Sequence, residues 1–290
     1  MINNYNRRKK IFQEKTALIT GAASGIGRAT ALELAALGAD LIITDIHEPR
    51  LRNVQDEIHT LGRNCKTILA DISVKNSVAS LAQEALASSE KIDILFNNAG
   101  IMSLGEVHKL TLEDWERMVD INMWGPVRLT HALLPHFIKN RSGHIITTSS
   151  IAGLVATPGM VPYSLTKSGI VGFSESMRSE LKGHGIRVSV VCPGPVFTNL
   201  SETGIYGSNA ARAFASAGKF MASILTPEKA ARIIVQGIRK NKAHIVLPFW
   251  AKLYWYLKRC SSRLMDKITT LTWQWYGKRE GLIEQIPLGK

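Results

Sequence analysis

The run TALIT-GAASGIG-RATALELAALG, residues 16–38, leaves the chain few folds to choose from. Thr16 to Thr20 are all apolar or β-branched and predict a buried strand; the apolar positions of 28–38 keep helical spacing. Between them lie Gly21, Gly25 and Gly27, which let backbone approach backbone and ligand closely. The helix that follows turns unpaired N–H groups and a partial positive charge toward the turn, where a pyrophosphate is held well. Strand, glycine turn and helix in that order open a parallel α/β unit that binds a dinucleotide.

The alternation continues along the chain. LIITD (41–45) predicts a second strand, with Asp45 about twenty residues beyond the glycines, where an acid meets the adenosine ribose hydroxyls; the plainer reading is a helix N-cap. A helix over 50–61 and a strand over 65–70 lead to Asp71, which either contacts adenine or begins a turn. A helix over 74–88 precedes IDILFNNAG (92–100), a strand running into a small-residue turn whose Asn97 and Asn98 either brace strands or border the cofactor. The apolar-periodic stretch 111–138 carries Asn122 at its middle, where a solvated side chain is the plain reading. Strand 144–150, helix 161–182, strand 187–198 with its Pro-Gly-Pro turn, helix 227–240 and strand 244–247 complete the pattern. The fold expected is α/β: a Rossmann-type doubly wound sheet of about seven parallel strands with helices on both faces. Residues 1–13 form a basic arm, 14–248 a single domain with a substrate lid at about 199–225, and 249–290 an amphipathic aromatic and basic tail.

Tyr-x-x-x-Lys occurs three times, at Tyr5 with Lys9, Tyr163 with Lys167 and Tyr254 with Lys258, so the spacing alone selects nothing. Only Tyr163 follows a strand-like run and opens a long helical pattern, and only it has a serine, Ser150, thirteen residues upstream. On a helix, Tyr163 and Lys167 share a face, and the ammonium is expected to lower the phenol pKa toward the range useful for proton transfer. Ser150 is expected to hydrogen-bond the same substrate oxygen.

A chain of 290 residues with 45% apolar content supports one large core. The net charge of +13 is confined to the ends: residues 1–15 carry +4 and 239–290 carry +8, leaving +1 for the body. A nearly neutral body argues against nucleic acid. Cys65, Cys192 and Cys260 lack metal-ligand spacing and point to a reducing, cytoplasmic setting, with no metal site. The basic N-terminus precedes no apolar signal region, and no run reaches the ~18 apolar residues of a spanning helix.

Taken together, these motifs resemble the short-chain dehydrogenase/reductase family over about residues 14–248. Thr20, Gly21, Gly25 and Gly27 match its cofactor turn, Asn97 to Gly100 its Asn-Asn-Ala-Gly turn, and Ser150, Tyr163 and Lys167 its catalytic set. The resemblance implies that Asn122 holds a water linking Lys167 to solvent, and that Pro193, Gly194, Val196 and Thr198 bind the nicotinamide end. It extends the cofactor set to Ser24, Ile26, Ile72, Asn98, Ala99 and Gly100, beside Asp45, Asp71, Tyr163 and Lys167. Hydride then moves between a nicotinamide and a carbon bearing oxygen. Asp45 would repel the 2′-phosphate of NADP, and neither Ile46 nor Ser24 supplies a basic partner for it, so NAD is favoured; Arg28 is a further candidate phosphate contact. A homodimer or homotetramer is expected.

Residues 249–276 lie past the stretch the resemblance explains. They hold Trp250, Trp255, Trp273 and Trp275 among interleaved Lys and Arg, with apolar positions 250, 253, 254, 257, 264, 268, 271 and 275 at helical spacing. This suits peripheral contact with the cytoplasmic face of a membrane and, through it, a lipophilic alcohol or ketone of sterol, retinoid or lipid type. The alternative is a helix packed on its own domain or on a twin subunit. Removing everything past Leu247 is expected to spare the catalytic domain. Two rival functions remain: a soluble NADPH-dependent 3-oxoacyl-type reductase, and a non-catalytic dinucleotide-binding protein.

Overall fold

The computed structural model describes residues 11–198, 200, 202–216 and 225–283. Most of the basic arm, residues 199, 201 and 217–224 of the expected lid, and the last seven residues lie outside that set. The chain opens with β1 (Thr16–Thr20), α1 (Gly25–Ala36), β2 (Asp40–Asp45), α2 (Glu48–Thr60), β3 (Cys65–Leu69), α3 (Lys75–Ala87) and β4 (Ile94–Asn97). Beyond a short β5 (Ser103–Leu104) come α4 (Leu112–Val119), α5 (Gly125–Asn140), β6 (Gly143–Thr148), a single helical turn α6 (Ile151–Leu154), α7 (Val161–Glu180) and β7 (Ile186–Pro193). Then follow β8 (Ile205–Tyr206), α8 (Asn209–Ser216), α9 (Pro227–Arg239), β9 (His244–Leu247), α10 (Phe249–Cys260) and α11 (Ser262–Arg279).

Seven strands form one parallel sheet in the order β3-β2-β1-β4-β6-β7-β9. Alternate residues of each strand point to opposite faces, and both faces are apolar. Ala17, Ile19, Leu41 and Ile43 pack with Leu34, Leu51, Ile58 and Ile234 of α1, α2 and α9. Leu18 and Ile42 pack the other way, with Val78, Leu81, Leu129 and Phe137 of α3 and α5. The strand order reverses between β1 and β4, which opens a crevice at their carboxyl ends, the place where doubly wound sheets bind ligands.

Three details depart from the periodicity of the sequence. The stretch 111–138 is not one helix: Asp120–Trp124 is a π-helical turn between α4 and α5. Pro126 has no N–H to offer the Asn122 carbonyl, so the α-helical ladder cannot pass through that position, and the Gly125 N–H reaches back five residues to Asp120. The strand expected to run to Thr198 stops at Pro193, since Pro193 and Pro195 cannot donate to a ladder; Val196 makes only an isolated bridge to Leu225. The tail is two helices separated by Ser261, whose backbone is extended.

That tail is docked. Ala251 and Met265 are buried with Leu154, Ile170, Val171, Val190, Cys192 and Val246, and Trp250, Trp255, Leu257 and Ile268 pack against them. Truncation after Leu247 would therefore strip a layer from the core, contrary to the expectation that the domain is indifferent to the tail.

Candidate active site

The crevice is a cleft of about 340 Å³ that runs from the β1–α1 turn to Tyr163. Its floor depends on glycine at two places. Gly21 has φ of +65°, and a Cβ there would stand 2.7 Å from the Ala99 Cα; a Cβ on Gly27 would stand 2.0 Å from the Gly21 carbonyl oxygen. Only bare backbone lets the turn close, and the closed turn places the start of α1 beside Ser24, Gly25 and Ile26, which line the cleft. Thr20 and Gly27 do not line it. The Thr20 hydroxyl accepts the N–H groups of Asn98 (3.0 Å) and Ala99 (3.1 Å), so it shapes the far wall. Asn98 lines the cleft and also braces strands: its amide donates to the carbonyls of Thr20 and Gly21, and Thr148 donates to its oxygen. Asn97 is buried against Thr130.

At the adenosine end the Asp45 carboxylate is held by two backbone donors, Ala23 N–H at 3.0 Å and His47 N–H at 3.1 Å, with the residue still lining the cleft. His47, not Asp45, caps α2. Asp71 accepts from the N–H and hydroxyl of Ser73, so its side chain starts the turn, while the residue borders the cleft beside Ile72. Arg28 is not in the cleft: its guanidinium is paired with both oxygens of Glu57, which removes the phosphate contact expected of it. Arg50, which sequence reasoning passed over, does line the cleft, 3.5 Å from Glu202. Its place, two residues into the helix that Asp45 leads to, was the available signal.

Ser150, Tyr163 and Lys167 meet at the other end. Ser150 is the N-cap of α6, accepting the Ala152 N–H at 3.1 Å, and its hydroxyl donates to the Pro193 carbonyl at 3.5 Å. Lys167 lies one turn after Tyr163 on α7, with Nζ 5.6 Å from the centre of the phenol ring and donating to the Thr148 carbonyl at 3.0 Å. Both side chains are buried. Burial raises the Tyr163 pKa, with Ser150 opposing, and pulls Lys167 down to about 8. This differs from the expectation of a tyrosine made acidic by the lysine: desolvation raises the phenol pKa, the ammonium is committed to the Thr148 carbonyl, and Tyr163 stays a neutral phenol. Cys192, beside them, is pushed up to about 12 by burial and stays a thiol.

Asn122 is brought near but not into the cleft. Its amide accepts the Ile101 N–H and donates to the Ile101 carbonyl, both at 2.9 Å, and a Cβ on Gly100 would lie 2.9 Å from its oxygen and 3.3 Å from the Lys167 Nζ. The side chain is therefore engaged in bracing the loop between β4 and β5 beside Lys167, which leaves the backbone of the π turn to hold a water.

Pro193, Gly194, Val196 and Thr198 line the cleft near Ser150, with Trp250 of the tail behind Gly194. Past Tyr163 the cleft is lined by Ile101, Ile121 and Leu200 together with Arg117, Glu202 and Thr203, and an apolar core lies behind it. Ile101, Leu110, Met118, Ala152 and Ile205 pack around the tyrosine, and Met102 and Met160 join that group to a second one of Leu104, Phe214, Tyr206, Trp273 and Leu282. Trp273 covers Gly159, where a Cβ would come within 2.4 Å of the indole. The tail's share in this packing has no signature in a single sequence.

Comparisons with known proteins agree with this geometry. The family described as short chain dehydrogenase matches residues 15–205. The chain is 34% identical over 188 residues to the 3-oxoacyl-[acyl-carrier-protein] reductase FabG of Thermotoga maritima, covering 65% of this chain and 76% of that one. It shares the fold of a short chain dehydrogenase/reductase from Burkholderia phymatum in complex with NAD, at TM-score 0.74, 24% identity and coverage of 96% and 99%. A metagenomic short-chain oxidoreductase in complex with NADP aligns at TM-score 0.69 and 27% identity, covering 82% of this chain and 98% of that one.

Proposed function

The chain belongs to the short-chain dehydrogenase family and is an oxidoreductase, and from that premise we propose that it uses NAD to interconvert a lipophilic secondary alcohol and its ketone. The apolar side chains of Ile101, Ile121 and Leu200, which line the cleft with Tyr163, carry the substrate reading, because a polar substrate would leave its own groups unpaired against them. A dinucleotide fits the other end: the Gly21 turn leaves room only for backbone, the start of α1 faces the cleft, and Asp45 presents a fixed carboxylate.

When bound, the nicotinamide supplies or accepts the hydride. The chain's residues handle the proton and the oxygen. In reduction the Tyr163 hydroxyl gives its proton to the carbonyl oxygen as the carbon receives hydride, Ser150 donates a hydrogen bond to the same oxygen, and the charged Lys167 offsets the negative charge left on the phenolate. Oxidation reverses each movement. In reduction the phenolate regains its proton from solvent, and in oxidation the proton leaves to solvent; the relay proposed runs through Lys167 and a water at the backbone of the π turn around Asn122.

Arg50 favours a second reading. A guanidinium lining the cleft near Asp45 is the group a 2′-phosphate would seek, and the likeness to FabG points to an NADPH-dependent 3-oxoacyl-type reductase. Its pairing with Glu202, and the carboxylate of Asp45 beside it, support NAD instead. Purified protein given NAD or NADP and a series of secondary alcohols of increasing chain length separates the two by nicotinamide absorbance. NAD should be preferred at least ~10-fold in kcat/KM, or about 1.4 kcal/mol, with activity rising along the series, and Asp45→Asn should narrow the preference. Equal use of NADP, or activity confined to short polar alcohols, refutes the corresponding half of the proposal.

A further inference from the structure

The tail has two faces, and the site explains only one. Ala251, Trp255, Met265, Ile268 and Trp273 turn inward, while Phe249, Leu253 and Tyr256 on α10 and Leu264, Leu271 and Trp275 on α11 are more than a third exposed, Phe249 at 73% and Trp275 at 54%. On each helix the exposed set repeats at helical spacing: 249, 253 and 256, then 264, 271 and 275. We propose that this outer face of α10 and α11 rests on an anionic membrane surface.

Charge selects that occupant. Residues 249–279 carry seven basic side chains, Lys252, Lys258, Arg259, Arg263, Lys267, Lys278 and Arg279, against the single acid Asp266. A second copy of the chain, docked through the same face about a two-fold axis, would set this net +6 against itself, with only one acid on each side to answer it. An anionic lipid surface answers both parts of the patch: headgroups neutralise the lysines and arginines, and the Leu, Phe and Trp side chains enter the boundary layer below them. An aromatic ring that carries a cation suits that depth, and on the outer face Arg279 lies 5.1 Å from the Trp275 ring centre. No helix of the described residues is long and apolar enough to cross a membrane, so the contact proposed lies along the surface.

The proposal does not depend on the identity of the substrate, and its test uses none. Full-length protein is sedimented with phosphatidylcholine vesicles, plain or containing about a third phosphatidylserine, at low and high salt. Co-sedimentation is expected with the anionic vesicles at low salt, at least tenfold weaker with plain ones, and partly released by salt. The variant Leu264→Ser/Leu271→Ser/Trp275→Ser changes only exposed side chains; it should keep wild-type activity on a small water-soluble alcohol and lose binding at least tenfold. The variant Arg263→Glu/Lys267→Glu should lose the salt-sensitive part. Wild-type protein that stays in the supernatant with anionic vesicles at low salt overturns the proposal. So does a serine variant that binds like wild type, or one whose oligomer falls apart in the absence of vesicles, which would assign the face to a second copy.

Discussion

At the scale of single residues, the chemistry turns on a lysine that burial has made easier to discharge. Lys167, pulled down to about 8, is mostly charged at neutral pH and loses its charge within the range where enzymes are assayed. Tyr163 moves the other way, so it keeps its proton across that range. Reduction needs both the phenol and the ammonium. The value of kcat/KM, which reports the free enzyme, should therefore fall about tenfold per unit as pH rises above about 8. A profile flat to pH ~10, the ordinary range for lysine, would show that Lys167 is not desolvated in solution. Tyr163→Phe should cost ~10² to 10⁴ in turnover with cofactor affinity little changed. The sequence placed these residues but not their pKa directions, because helical spacing brings Lys167 to the face of Tyr163 while desolvation depends on everything packed around them.

At the scale of elements, what was legible is local. The strand, glycine turn and helix follow from period-two and period-3.6 patterns within one short window, and the structure has the strand at Thr16–Thr20 as read, with the helix at Gly25–Ala36 instead of 28–38. The π turn was not legible as such, although Pro126, four residues after Asn122, held the cause. The tail shows how periodicity fails: positions 250, 253, 254, 257, 264, 268, 271 and 275 form one stripe only if the helix is continuous. The extended backbone of Ser261 resets the phase, so Leu264, Leu271 and Trp275 turn outward and Met265, Ile268 and Trp273 turn in. Trp273 thereby joins the apolar group of Leu104, Phe214 and Leu282, which the far end of a long alcohol is proposed to reach. Trp273→Ala should leave turnover of a short alcohol within about twofold and reduce the preference for long alcohols over short ones by ~10-fold or more, the scale of one lost apolar contact in a binding pocket. An unchanged ratio of kcat/KM values along the series would place the substrate elsewhere.

At the scale of the whole molecule, the question is whether the chain past Leu247 is an appendage or part of the domain. Burial answers for the domain: Ala251, Met265 and Leu282 are each no more than 5% exposed, and they cover Val190, Cys192 and Val246 on one side and Leu104 and Phe214 on the other. Burying a side chain the size of Met or Leu contributes about 1.5–3 kcal/mol, so Met265 and Leu282 alone bring about 3–6 kcal/mol, before the half-buried tryptophans are counted. Against the 5–15 kcal/mol typical of a folded domain that is a large share. Each kilocalorie lost shifts the melting temperature of a domain this size by ~2–4 °C. Protein truncated after Leu247 should therefore melt at least about 6 °C lower than the full chain, or accumulate as insoluble material, and it should lose activity on short and long alcohols alike. That outcome differs from the one expected of Leu264→Ser/Leu271→Ser/Trp275→Ser, which leaves the inner face intact and should melt within about 2 °C of wild type. Differential scanning calorimetry on the two variants separates the faces of the tail: a truncated protein that melts like the full chain would mean that α10 and α11 are not docked in solution.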